Sequence, residues 1–183
     1  MPRILLTSPV TARELYYGEE ALAGLRKLGE VRLNRTEESW TPEQMIVEAK
    51  GCAVIVSYRQ SAAPAQVFDS LPDLAAFVRC AVDIRNIDVA AASRSGVLVT
   101  QASAGFVPAV AEMTVGFMID LARRITRSAT LYHRGETPPP EMGRQLRGST
   151  LGVIGYGAIG RYLCDLGVAL GMTVLVADPH TKV

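Results

Sequence analysis

The sequence is short of several things at once. It holds three cysteines, two histidines and 6% aromatic residues among 183 positions. Cys52, Cys80 and Cys164 lie far apart with no C-x-x-C spacing, whereas a disulfide framework uses an even number in a smaller, secreted chain. They read as buried, reduced thiols. His133 and His180 have no second ligand at metal spacing, so no metal is expected. Scarce aromatics argue against a stacking platform for single-stranded nucleic acid. An excess of either charge is missing too. Lys plus Arg is 19, Asp plus Glu is 18 and the net charge is +1, which offers no basic surface to nucleic acid or membrane. Long apolar runs are also missing. Met1–Ser8 has one basic residue and then three apolar ones, short of the roughly 7–15 a signal peptide needs. Pro108–Ala122 is interrupted by Glu112 and Asp120, short of the 18 or so uncharged residues of a membrane span. The expectation is a soluble, cytoplasmic protein with neither nucleic acid nor membrane as partner.

What is there suits a packed core: 49% of residues are hydrophobic and 20% charged, in a length for one domain or two small ones. The first hundred residues alternate. Ile4–Thr7 reads as a strand, Ala12–Leu28 as a helix ended by Gly29, and Val31–Leu33 as a strand. Thr41-Pro42-Glu43-Gln44 is a helix start with a hydroxyl cap and Pro at the first helical position. Gly51 ends that helix. Ala53–Val56 reads as a strand buried on both faces, and Pro64 opens a short helix. Leu74–Cys80 and Val97–Thr100 are further strands, with a helix at Val89–Ser95 between them. This is α/β: a parallel sheet, five-stranded up to about residue 103, with helices on both faces.

Pro108–Arg134 reads as one long helix alongside that sheet. Val110, Met113, Phe117, Leu121 and Ile125 fall on one stripe, and Val115, Met118, Ile119 and Ala122 widen it, so burial on more than one side is expected. The basic residues Arg123, Arg124, Arg127, His133 and Arg134 complement the helix dipole. Thr137-Pro-Pro-Pro140 is a stiff spacer. A new unit follows: strand Thr150–Ile154, helix Ala158–Leu170, Gly171, strand Thr173–Ala177.

The chemistry-bearing motif lies at its first turn. Gly155-Tyr-Gly157-Ala158-Ile159-Gly160 follows a strand and opens a helix, and Asp178 ends the next strand 18 residues after Gly160. In that context G-x-G-x-x-G is a dinucleotide fingerprint. Gly155 permits the tight turn, Gly157 lets a pyrophosphate approach the backbone, and Gly160 lets helix and strand pack closely. The N–H groups around Ala158 and Ile159 face the pyrophosphate. Asp178 accepts the adenosine ribose hydroxyls and repels a 2′-phosphate, favouring NAD over NADP. Arg161-Tyr162 after Gly160 excludes a phosphate-loop NTPase.

Gly143–Gly160 followed by Gly171–Pro179 resembles the NAD-dependent D-2-hydroxyacid dehydrogenases, of which phosphoglycerate dehydrogenase is a branch. The resemblance runs back through Asn86-Ile-Asp88, Ala90-Ala91, Ser95–Val99, Val110-Ala-Glu112, Leu121–Ile125 and Arg134-Gly-Glu136. It implies a flavodoxin-like, doubly wound substrate domain, here residues 1–103, then a bridging helix at 104–134 and a linker at 135–147. Residues 148–183 are then the first βαβ unit of a Rossmann NAD-binding domain. It further implies hydride transfer between NAD and the CH–OH group of a small D-2-hydroxy acid, in a homodimer. The corresponding cleft lies among Tyr58–Ser61, the loop Cys80–Arg85 and the turn Ala102–Phe106. Tyr58, Arg59, Ala81, Val82 and Asp83 are the candidate substrate contacts, with loop N–H groups holding the substrate carboxylate.

This sequence departs from the family pattern in that loop. Arg79-Cys-Ala-Val-Asp-Ile-Arg-Asn-Ile-Asp88 has Ala81 and Asp83 where the family has glycines, and Arg85 where it has an acid. Asp83 brings an anion towards a carboxylate site. Arg85 either compensates that charge or is a solvated loop residue. Thr137 stands where the family has tryptophan, and the single tryptophan, Trp40, is expected to pack. The family's catalytic Arg, Glu and His all fall beyond Val183, so no catalytic residue is expected within this chain. His180 belongs to the adenosine side and His133 to a helix end. The expectation is the front part of a longer enzyme, inactive alone. The alternative is a non-catalytic NAD-binding sensor or corepressor-like interaction module.

Overall fold

The computed structural model describes residues 1–181. A first compact unit, Met1–Ser103, holds β1 (Arg3–Leu6), α1 (Val10–Tyr16), α2 (Gly18–Leu28), β2 (Glu30–Leu33), α3 (Pro42–Glu48), β3 (Val54–Ser57), α4 (Ala65–Asp69), β4 (Ala76–Arg79), α5 (Val89–Arg94) and β5 (Leu98–Thr100). A second unit begins at Ala104 and holds α6 (Val107–Arg123), α7 (Ile125–His133), β6 (Thr150–Ile154), α8 (Ala158–Ala169) and β7 (Thr173–Ala177).

In the first unit the five strands form one parallel sheet, ordered β2-β1-β3-β4-β5, as the alternation predicts. Leu5, Ile55 and Phe77, from β1, β3 and β4, are wholly buried and join Met45, Val67 and Phe68 of the helices. Phe68 and Phe77 meet edge to face at 5.7 Å. β3 is less buried than its apolar run suggests. Ile55 and Ser57 point into the core, while Val54 and Val56 are only half-buried. α3 starts as read, with a reciprocal capping box between Thr41 and Gln44 and Pro42 at the first position. Trp40 packs against the core.

Two expected helices are broken. Ala12–Leu28 divides into α1 and α2 at Gly18, whose φ of +69° glycine adopts without a Cβ clash. The long helix Pro108–Arg134 divides at Arg124, the single non-glycine residue with positive φ (54°) among those described. The cause is side-chain capping. The Asp120 carboxylate accepts from the N–H and hydroxyl of Thr126, at 2.6 and 2.7 Å, and so starts a new helix. Glu141 holds the turn by pairing with Arg124 and with Arg127. Nor is α6 buried on several sides: Ala111 is its single buried residue, and Met113, Phe117 and Leu121 are exposed. Within the second unit α6 packs on α8. β6 and β7 pair in parallel, Leu151 opposite Val174 and Val153 opposite Val176.

Candidate functional site

The carboxyl ends of β1, β3 and β4 bring one group of candidate residues together in the first unit. A buried frame joins them. The Thr7 hydroxyl meets the Ser61 hydroxyl at 2.8 Å and accepts from the Tyr58 N–H at 2.8 Å. Arg79, at the end of β4 and 1% exposed, donates to the carbonyl of Tyr58, to that of Ser61 (2.8 Å) and to the Asn86 side-chain oxygen (2.6 Å). One buried guanidinium thus ties the loop after β3 to the loop after β4. It does so through carbonyl-type acceptors with no carboxylate partner, and burial pulls its pKa down. Sequence reasoning assigned Arg79 no role. A charged residue closing an apolar strand was the available signal.

The substrate candidates separate on this frame. Arg59 is exposed, but Tyr58 is buried, so its side chain is not the free polar arm the sequence suggested. Its N–H and carbonyl are spent on Thr7 and Arg79, and its ring edges a cavity of about 450 Å³ shared with Thr11, Glu37 and Gln60. Tyr17, after α1, neighbours Cys80 and Tyr58. Burial first, then the adjacent Cys80 thiol, pushes its phenol from 10.0 up to about 12. Burial likewise pushes the Cys80 thiol up.

Ala81, Val82 and Asp83 follow directly. The Ala81 carbonyl accepts from Ala102 N–H at 3.1 Å, joining the loop to the turn after β5. Among the described residues the N–H groups of Ala81, Val82 and Asp83 have no hydrogen-bond acceptor. Such a run of free N–H groups is a place for an anion. Asp83 does not stand free. Its Oδ1 accepts from Arg85 N–H and Nε, both at 2.9 Å, and its Oδ2 from Arg85 Nη2 at 2.7 Å. These bonds hold the Asp83 carboxyl well below the usual carboxylate range. Arg85 is therefore paired with Asp83 as a compensating charge, while its side chain stays 91% exposed to solvent.

The second group lies in the second unit. Gly155 has a φ of +97°, and its N–H donates to the Ala177 carbonyl at the end of β7, at 2.8 Å. A Cβ on Gly160 would stand 2.1 Å from the Gly155 carbonyl oxygen, so the helix–strand approach requires glycine there. Gly157 differs: a Cβ would meet nothing within 4 Å, and the space in front of its backbone is open. Gly157 caps α8, and the N–H groups of Ala158 and Ile159 open its first turn, where no intrahelical acceptor exists. The Asp178 Oδ2 accepts from Tyr156 N–H at 2.6 Å and its Oδ1 from His180 N–H at 2.8 Å. These two bonds, the first foremost, lower its pKa. A carboxylate has about four lone-pair sites, so acceptor capacity remains beside the turn. Gly167 was missed from sequence: a Cβ there would press on Leu151 at 2.9 Å, which explains how closely α8 lies on its sheet.

His133 and His180 are exposed, and among the described residues no ring nitrogen of either is hydrogen-bonded to a carboxylate. No helix among the described residues is long and apolar enough to cross a membrane.

Residues 4–174 match the family model of the catalytic domain of D-isomer specific 2-hydroxyacid dehydrogenases. The D-3-phosphoglycerate dehydrogenase of Methanocaldococcus jannaschii is 32% identical over 181 residues, 98% of this chain and 33% of that protein. A hydroxypyruvate reductase of Thermotoga maritima is 28% identical over 148 residues, 80% of this chain and 48% of its own. The apo-structure of D-lactate dehydrogenase from Escherichia coli superposes with a TM-score of 0.73 at 23% identity, covering all of this chain and 56% of that one. The chain thus spans a third to a half of the length of these curated relatives.

Proposed function

The chain belongs to the D-isomer specific 2-hydroxyacid dehydrogenase family, and from that membership we propose that it supplies the substrate-binding domain and the first part of the cofactor-binding domain of an NAD-dependent oxidoreductase acting on a small D-2-hydroxy acid. Residues 1–103 are then the substrate domain, 104–134 the bridge, 135–147 a linker and 148–183 the opening βαβ unit of the NAD domain. The carrying observation is the turn at Gly155–Gly160. Its open backbone at Gly157 and the free N–H groups of Ala158 and Ile159 suit a pyrophosphate, and the spare lone pairs of Asp178 suit vicinal ribose hydroxyls. NAD, when bound, supplies the hydride acceptor. The residues of the first unit serve the other reactant: the N–H groups of Ala81, Val82 and Asp83 take the substrate carboxylate, and Arg59 reaches its polar end. The exposed apolar residues of α6 support a homodimer and the three free thiols a cytoplasmic setting.

Two measurements on the 183-residue chain test this reading. Fluorescence titration should show NADH bound weakly but more tightly than NADPH, with Asp178→Ser reducing the preference; NADPH bound as tightly by the unsubstituted chain defeats the assignment. With NADH and pyruvate, glyoxylate or hydroxypyruvate, the nicotinamide absorbance should fall no faster than in buffer. Proton transfer by a positioned acid/base is typically worth about 10²–10⁴-fold, and neither histidine is placed for it. Faster oxidation means that a catalytic group lies among these residues.

A further inference from the structure

A carboxylate-binding loop that carries its own carboxylate is a contradiction, and Arg85 resolves it. The free N–H groups of Ala81, Val82 and Asp83 form the anion site of the proposed function. The Asp83 side chain springs from the last of them. Left alone, it would repel a bound carboxylate, or fold back and occupy the free N–H groups itself. Neither happens. Both Asp83 oxygens face forward along the chain and are taken by Arg85: backbone N–H and Nε on Oδ1 at 2.9 Å, Nη2 on Oδ2 at 2.7 Å and Nε on Oδ2 at 3.1 Å. A guanidinium matched in this way to a carboxylate neutralises and orients it at once.

We infer that Arg85 is a positioning residue for substrate: by holding the Asp83 carboxylate turned away and its charge compensated, it keeps the N–H groups of Ala81–Asp83 open to the carboxylate of a 2-keto or 2-hydroxy acid. It acts on Asp83 and does not touch the ligand. The inference rests on the carboxylate-loop reading of this site.

The test is an NMR titration of the 183-residue chain with oxamate, a neutral-amide monocarboxylate, at low ionic strength. Amide shifts of Ala81, Val82 and Asp83 report the site, and those of β1, β3 and β4 report the fold. Arg85→Gln should weaken oxamate binding severalfold, the order of effect of one uncompensated charge beside the ligand in a water-like dielectric. The weakening should shrink as salt is added. Asp83→Asn/Arg85→Gln should return to the affinity of the unsubstituted chain, because the charge to be neutralised is gone. Unchanged binding in Arg85→Gln overturns the inference alone. So does a double variant as weak as Arg85→Gln, because Arg85 then contacts the ligand directly. If the unsubstituted chain shows no shifts at these amides with the strand amides native, the carboxylate-loop reading fails and the inference falls with it.

Discussion

The two units bury their apolar residues very differently. In the first, fifteen hydrophobic residues form one closed core under a five-stranded sheet, with Phe77, Ile55 and Leu5 inaccessible to solvent. In the second, the described residues form a two-stranded sheet, and only Ala111, Val153 and Cys164 among the hydrophobic residues are buried. Leu121 is 81% exposed and Ile154 95%. Sequence patterning is equally apolar in both. A stripe of apolar residues therefore states what an element can bury, and only the surrounding elements decide whether it does. In the first unit the candidate residues adjoin a buried, hydrogen-bonded frame. In the second the glycine turn is preformed, while apolar side chains beside it face solvent.

Removing a core side chain from each unit tests that contrast most severely. Phe77→Ala deletes a ring packed on Phe68 and beneath Arg79, and should cost about 3–5 kcal/mol, enough to unfold the first unit. Leu121→Ser removes an equally apolar residue from α6 and should change stability within about 0.5 kcal/mol. Urea unfolding followed by circular dichroism checks both. Comparable losses for the two variants mean that α6 is buried in solution after all.

Glycine substitutions sharpen the comparison inside the second unit. Gly160→Ala drives a Cβ against the Gly155 carbonyl oxygen, and should cost about 1–3 kcal/mol by forcing α8 off its strand. Gly157→Ala meets no protein atom, and its φ of −74° is open to alanine, so the fold should be unaffected. Both variants should lose NADH, Gly160→Ala together with stability and Gly157→Ala without it. Thermal melts paired with NADH titration separate the two. A Gly157→Ala chain that keeps NADH binding removes the reason given for that glycine.

What was legible in the sequence follows from the range of the forces involved. The capping box at Thr41 rests on contacts between near neighbours; the parallel sheet and the glycine turn pair residues far apart in sequence but carry local marks, the alternation of apolar runs with capped helices and the glycine spacing. The break at Arg124 depends on Glu141, 17 positions on, and on Asp120 capping forwards to Thr126; a helical stripe runs through both unmarked. Arg79 was missed because two of its three acceptors are backbone carbonyls, of Tyr58 and Ser61, and every residue has one. Tyr58, which reads as an exposed polar side chain, is buried. Arg85 was noticed as a departure and left between two roles. The side-chain geometry pairs it with Asp83 and leaves it exposed to solvent as well.

The smallest expected effect concerns pH, and it distinguishes the units by the sign of their response. Tyr17 in the first unit has its phenol pushed from 10.0 up to about 12, mainly by burial. A raised pKa means that the folded state holds its proton more tightly than the unfolded chain. Stability from this source is complete below pH 10 and is lost as pH rises through about 12. In the second unit the Asp178 carboxyl lies below its ordinary value, chiefly through Tyr156 N–H. Its contribution is present above the unfolded carboxyl pKa and is lost as pH falls through the folded one. Alkali should therefore loosen the first unit, and acid the turn of the second. Tyr17→Phe keeps the ring and removes the proton, so the decline of first-unit stability between pH 10 and 12 should flatten relative to the unsubstituted chain. Urea midpoints measured across that window check it. An equal decline in Tyr17→Phe places the alkaline sensitivity elsewhere and removes Tyr17 from the buried polar frame around Cys80 and Tyr58.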